Sequence, residues 1–228
     1  MANGKGILVV AQGSRYEGDW VNDVQEGYGE EYFTDGTTYQ GSYQNGHKHG
    51  PGKFTWSDGS YYQGDFFNSS ISGKGILHWK DGREYSGDWQ NNKMHGRGTF
   101  VWPDGKRYIG DYVNDKKEGF GTYYWSEDKL YEGEWLNSKQ HGDGKFVLKG
   151  KTLKGQFRYG KLIKRYDDEN RDAISNFDNF SRFQTQSVGG NILQTQPNVA
   201  NAHDFEQADK KHHFEKMEVG DTRAPIMT

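Results

Sequence analysis

From Tyr16 to Lys164 the apolar residues fall in short alternating runs, and the alternation restarts every 23 residues. Tyr16, Tyr39, Tyr62, Tyr85, Tyr108 and Tyr131 each stand 23 residues from the next, and each opens a phrase Tyr-x-Gly-x-aromatic, from Tyr16-Glu17-Gly18-Asp19-Trp20 to Tyr131-Glu132-Gly133-Glu134-Trp135. With each unit numbered from its tyrosine, positions 1, 3 and 5 share one face of a strand, because side chains alternate with period two. Position 4 lies on the other face. It is Asp19, Asp65, Asp88, Asp111 or Glu134, with Ser42 the exception. Gly-x-Gly follows at positions 12 to 14, as in Gly27-Tyr28-Gly29, Gly50-Pro51-Gly52 and Gly96-Arg97-Gly98, and its backbone freedom predicts a turn. A second strand then carries large apolar residues at positions 16 and 18: Phe54 and Trp56, Leu77 and Trp79, Phe100 and Trp102, Tyr123 and Trp125. Asp-Gly closes most units (Asp35-Gly36, Asp58-Gly59, Asp81-Gly82, Asp104-Gly105) and predicts a tight hairpin turn with positive φ at both residues. Glu127-Asp128 stands there in the fifth unit, where Asp is expected to adopt the same conformation less readily.

A fixed period of this size is the signature of a stacked repeat array. The expected fold is all-β: an elongated, single-layer antiparallel β-hairpin array of about seven units spanning residues 1–164, followed by a polar, largely irregular tail over 165–228. At ~4.8 Å between strands, about 14 strands would extend roughly 65 Å. The N-terminus joins in mid-unit with Gly4-Lys5-Gly6. The last unit is one residue short, puts Leu153 at the tyrosine position before Gly155 and Phe157, and fades at Tyr159-Gly160-Lys161 as a terminal cap. The glycine at position 3 is expected to let a ring lie flat on the backbone. In the tail, Asp167-Asp168-Glu169 ahead of Ala173, Ile174, Phe177, Phe180 and Phe183 predicts a short amphipathic helix near 168–183.

Composition sharpens this picture. Hydrophobic residues are only 32% of the 228, yet 15% are aromatic and 32 are glycine, so rings carry the apolar surface. All seven tryptophans fall in the repeats. With no cysteine, disulfides, thiolate metal sites, thiol nucleophiles and cysteine lipidation drop out. No segment is long and apolar enough for a membrane-spanning helix, and a cytoplasmic location is expected. Basic and acidic residues nearly balance through Lys164, whereas the tail has 11 Asp+Glu against 7 Lys+Arg, so no concentrated basic surface invites nucleic acid.

Histidine offers the one constellation that suggests a metal. His49, His95 and His141 occupy position 11 in alternate units, but alternate units lie about 20 Å apart by strand spacing, and one ion needs its ligands within ~2.2 Å. No metal and no cofactor is expected. Nor is catalysis, since nothing after the array has the make-up of a catalytic domain, and the glycine pairs precede no helix that could bind phosphate. The acidic row at position 4 would repel an anionic bilayer, while Lys48, Lys93, Lys116, Lys117 and Lys139 read as loop lysines able to touch lipid from one edge.

Tyr85-Ser86-Gly87-Asp88-Trp89-Gln90-Asn91 followed by His95-Gly96-Arg97-Gly98-Thr99-Phe100-Val101-Trp102-Pro103-Asp104-Gly105 resembles the MORN (membrane occupation and recognition nexus) repeat, and the likeness recurs in register over residues 4 to about 164. The resemblance implies a single-layer array with an aromatic groove that binds proteins, dimerises or sits beside membranes; arrays with a polar tail also resemble ciliary radial-spoke components. The expectation is therefore a non-catalytic scaffold of a cytoskeletal assembly such as the ciliary axoneme. It binds protein segments, with homodimerisation open, and needs neither nucleic acid nor a small-molecule substrate. A phosphoinositide-recognising membrane tether and a self-associating cytoskeletal module remain as alternatives. The partner site is expected where position 5 and position 18 rings converge, at Trp79, Trp89, Trp102, Tyr112 and Trp125, with Ile174, Phe177 and Phe180 of the tail as a second contact.

Overall fold

The computed structural model describes residues 1–11 and 13–166. These form one open antiparallel sheet in which every strand pairs with its sequence neighbours. The strands are β1 (Gly4–Val9), β2 (Arg15–Val21), β3 (Val24–Tyr32), β4 (Thr38–Gln44), β5 (His47–Thr55), β6 (Tyr61–Phe67), β7 (Ser70–His78) and β8 (Glu84–Gln90), then β9 (Lys93–Val101), β10 (Arg107–Val113), β11 (Lys116–Ser126), β12 (Lys129–Leu136), β13 (Lys139–Leu148), β14 (Lys151–Arg158) and β15 (Lys161–Arg165). The fold is the all-β hairpin array expected from the period. The amphipathic helix expected near 168–183 lies outside the described residues.

One face is closed by rings. Each unit tyrosine lies across two glycines that pair between strands, such as Gly41 with Gly52 beneath Tyr39, and a Cβ built on Gly41 would sit 2.5 Å from the Tyr39 hydroxyl. The hydroxyl donates to the carbonyl of position 4 in its own unit at 2.9–3.1 Å in all six units. Each tyrosine meets the position 5 ring of its own unit and that of the next edge-on. The result is an unbroken zigzag of edge-to-face contacts from Trp20 to Phe157, with centroids 4.9–5.5 Å apart and interplanar angles of 80–89°. Such pairs contribute roughly 0.5–1.5 kcal/mol each beyond the area they bury.

The reversals differ from the sequence expectation in two ways. The two-residue turns with positive φ at both positions fall at positions 7 and 8 (Asn22-Asp23, Asn68-Ser69, Asn91-Asn92, Asn114-Asp115, Asn137-Ser138), since Asn and Asp tolerate the left-handed region best after glycine. At Asp-Gly only the glycine has positive φ. Gly36 N–H donates to the Phe33 carbonyl, Phe33 N–H to the Thr37 carbonyl, and the Asp35 carboxylate accepts from Thr37 N–H at 2.8 Å, which makes a three-residue loop closed by a left-handed glycine. At Glu127-Asp128 neither residue has positive φ.

Gly-x-Gly makes no turn at all. It lies within β3, β5, β7, β9, β11 and β13, at a bulge where Gly18 pairs with Gly29 but Trp20 pairs with Gln25, so β3 fits three residues opposite Asp19 alone. The first glycine of each triplet has φ between 57° and 99°, which turns the next N–H out of the ladder. The position 4 carboxylate accepts that N–H: Asp19 from Tyr28, Asp65 from Lys74, Asp88 from Arg97, Asp111 from Phe120 and Glu134 from Asp143, at 3.0–3.2 Å. The exception now has a cause. In the bulge opposite Ser42 the residue that follows the first glycine is Pro51, which has no N–H to satisfy.

Asp88→Ser leaves the exposed Arg97 N–H to water and is expected to cost about 0.5–1.5 kcal/mol in urea unfolding. Ser42→Asp gains nothing alone but is expected to couple favourably with Pro51→Lys by about 1–2 kcal/mol. Independence of the two substitutions would contradict the carboxylate's role at the bulge.

Candidate functional site

Position 10 builds the site, although its lysines are expected from the sequence in exposed loops. Its backbone is clamped from the following unit. The Lys117 N–H donates to Ser138 Oγ at 3.1 Å, and the Lys117 carbonyl accepts from Ser138 N–H at 2.9 Å; Met94 is held likewise by Asp115, and Ile71 by Asn92. So fixed, the side chain turns onto the ring face. Gln25, Lys48, Ile71, Met94 and Gln140 are buried there, and Lys117 is half-buried. Lys93, Lys116 and Lys139 are exposed as expected, but Lys48 and Lys117 are corrections: they are not edge lysines available to a bilayer. The signal was present in the alignment of units, where Ile71 and Met94 share their position.

The two lysines have different surroundings. Lys48 Nζ lies 3.0 Å from Glu31 Oε2, and the same oxygen accepts the Tyr43 hydroxyl at 3.0 Å, with all three residues buried. Lys117 Nζ instead faces the rings of Trp102, Tyr108, Tyr123 and Trp135 at 5.3–5.6 Å from their centroids, and among the described residues no carboxylate lies within ion-pair distance of it. Burial pulls the Lys117 ammonium down to about 8, while the surrounding ring faces favour the charged form. Burial, and then the Asp104 charge, push the neighbouring Tyr123 hydroxyl up to about 12.

Of the aromatic residues expected to meet a partner, Trp79, Trp89 and Tyr112 are buried in the array's own packing, and the Trp89 indole N–H donates to the Gly75 carbonyl at 3.1 Å. Trp102 and Trp125 are half-buried. Tyr123, half-buried between them at 5.4 and 4.7 Å, completes a short accessible row and is not among the residues expected there from the sequence. Positions 5 and 18 do share a face, since Trp102 and Trp135 both border Lys117. Ile174, Phe177 and Phe180 lie outside the described residues. At position 11, the side chains of Glu26, Ser72 and Glu118 accept the N–H of Asn45, Asn91 and Asn137 in the next unit, whereas His49, His95 and His141 each keep a buried Nδ1 without a hydrogen bond. Among the described residues no three potential ligands cluster for a metal.

The MORN repeat family matches at residues 16–38, 39–61, 62–82, 85–107, 108–127 and 131–150, more than half of the sequence, and the chain belongs to that family. Its repeats are generally non-enzymatic modules for protein or membrane interaction. The seventh unit is not among the matched segments, yet Phe157 continues the ring zigzag against Tyr131 at 4.9 Å. No curated protein matches the chain. Among solved structures, the chain is similar to the SAS-4 (dCPAP) TCP domain of Drosophila melanogaster in complex with a proline-rich motif of Ana2 (dSTIL). Identity there is 12%, 69% of this chain and 87% of that one are covered, and the TM-score is 0.42. The TCP10c domain of Drosophila melanogaster Sas-4 aligns at 11% identity, over 69% and 96% of the two chains, with a TM-score of 0.33. The TCP10 domain of Danio rerio CPAP with a STIL peptide aligns at 14% identity, over 74% and 97%, with a TM-score of 0.24. Likenesses at this level carry no argument about function.

Lys117 sits where another unit uses Met94, and that equivalence can be tested. Lys117→Met is expected to stabilise the protein by about 1–3 kcal/mol at pH 7, because it removes a partly desolvated charge. The folded state loses this proton at a lower pH than the unfolded chain. Wild-type stability therefore rises between about pH 8 and the ordinary lysine value of 10.5, and the variant's advantage shrinks over that window. Thermal melts of both proteins across pH 7 to 10 check the sign.

Proposed function

We propose that the array is a non-catalytic scaffold that binds a protein segment across Trp102, Tyr123 and Trp125. The observation that carries this reading is the change along the position 18 row. Phe33, Trp56 and Trp79 are buried, whereas Trp102 and Trp125 keep accessible ring surface on a floor fixed from below by the tyrosine zigzag. Rigid aromatic surface that needs no reordering is the typical material of an interface hot spot. The setting we propose is a cytoskeletal assembly, the ciliary axoneme first, which rests on the resemblance to radial-spoke arrays. The phosphoinositide alternative keeps the exposed Lys93, Lys116 and Lys139 but loses Lys48 and Lys117 to the ring face.

The test is native co-purification with mass spectrometry, followed by affinity measurement on the recovered partner. Trp125→Ala is expected to weaken binding by about tenfold or more, since hot-spot truncations cost upward of ~2 kcal/mol. Because Trp125 packs against Tyr123 and Phe146, the melt is expected to fall, and affinity is measured at a temperature where the variant remains folded. A folded variant with wild-type affinity would remove the ring row from the interface. Retention on phosphoinositide vesicles at physiological salt, lost when Lys93 and Lys116 are neutralised, would put the membrane reading first.

A further inference from the structure

The second and fifth units repeat a pair of residues that no other unit has: tyrosine at position 5 with lysine at position 10, as Tyr43 with Lys48 and as Tyr112 with Lys117. In the second unit the pair has an evident purpose. The Tyr43 hydroxyl and the Lys48 ammonium converge on one oxygen of Glu31, each at 3.0 Å. Glu31 holds position 16 of the preceding unit. The residue at that place ahead of Lys117 is Phe100, which cannot accept a hydrogen bond. The fifth unit therefore keeps both donors and lacks their acceptor. Among the described residues none accepts from the Tyr112 hydroxyl, and the Lys117 ammonium faces rings.

We propose that Lys117, with Tyr112 behind it, is a carboxylate-binding site on the aromatic floor, filled by an Asp or Glu side chain of the bound protein segment. Charge complementarity selects the occupant. A desolvated ammonium is costly without a counter-ion, and a carboxylate arriving in trans would make the charge-assisted contacts that Glu31 makes in cis. Access is consistent with this. Trp102 and Tyr123, two of the four rings around the ammonium, are among the half-buried residues of the proposed binding row. A residue chosen for stability alone at position 10 would resemble Ile71 or Met94, so a lysine with rings around it and no carboxylate partner marks a place where function is bought with stability. The inference rests on the scaffold reading and specifies the chemistry of its partner: an extended segment with an acidic residue flanked by apolar ones.

The experiment uses the immobilised full chain and two pools of end-blocked pentapeptides, one with central Glu and one with central Gln, each randomised over Leu, Ile, Tyr, Thr and Pro at the other positions. Retained peptides are quantified by mass spectrometry. Wild type is expected to favour the Glu pool by about tenfold, the equivalent of one charge-assisted hydrogen bond over a neutral one. Lys117→Met is expected to bring the two pools to parity while still retaining peptides, and Lys93→Met, at the exposed start of β9, is expected to leave the preference intact. Phe100→Glu, checked for folding by its melt, recreates the Glu31 arrangement and is expected to remove the preference as well. Equal retention of both pools by wild type, or a Glu preference that survives Lys117→Met, would overturn the carboxylate site and leave the aromatic scaffold standing. Retention of neither pool would count against the scaffold reading itself, and the site would fall with it. Lys117-dependent retention on vesicles of phosphatidylcholine with phosphatidylinositol bisphosphate, without any Glu preference, would assign the ammonium to phosphate and overturn the proposal.

Discussion

The whole sheet depends on a tyrosine ring lying flat over two cross-strand glycines. A side chain at either glycine would occupy the ring's space, as the Cβ positions beneath Tyr16, Tyr39 and Tyr131 show. Both glycines must therefore be present, and at a fixed offset from the tyrosine. Because the ring rests on the backbone, its hydroxyl reaches the position 4 carbonyl and its edges meet the position 5 rings on either side. A single sheet has no second layer to cover its apolar face. Here the rings cover one another, and every unit tyrosine is buried although no other described residue forms a layer above the sheet.

The polar groups are settled with the same economy. The bulge that accommodates the glycine turns one N–H per unit out of the ladder, and the position 4 carboxylate accepts it. The row of acids is thus a structural fitting first, and a surface charge second. Lys5, Lys74 and Arg97 lie within ion-pair distance of Asp19, Asp88 and Asp111, which further reduces the repulsion the row would present to a membrane. Between units, position 8 of one meets position 10 of the one before, through its backbone and often through its side chain. That clamp directs the position 10 residue onto the ring face whatever its chemistry, and so places lysines among aromatics.

Much of this was legible in the sequence, and its gaps have physical causes. Period and alternation were enough for the antiparallel array and for the ring-on-glycine packing, because both are properties of every unit. Turn placement was misread because Gly-x-Gly looks like punctuation, and its use inside a bulged strand shows only when the cross-strand partner is known. Asp-Gly was misread in kind, since the same dipeptide serves a three-residue loop as well as a two-residue one. Lys48 and Lys117 were assigned to loops from their charge, although Ile71 and Met94 at the same position pointed inward. Which rings remain accessible could not be read from the repeats at all. Trp79 and Trp102 are equivalent in sequence, and their neighbours make one buried and the other half-buried.

These packing rules and the site share one foundation, for the floor beneath Trp102, Tyr123 and Lys117 is rigid only while the tyrosines stay seated. The most direct measurement is the change in unfolding free energy of Gly98→Ala. The φ of Gly98 lies outside the left-handed region, so on backbone grounds alone alanine should stabilise the fold by about 0.4–1 kcal/mol, through the unfolded chain. The added Cβ would lie 2.5 Å from Tyr85 Cζ, and the account predicts the opposite sign: a loss of about 1–3 kcal/mol or more, typical of an overpacked site. An alanine variant as stable as wild type, or more so, would contradict the claim that the seated tyrosine organises the sheet.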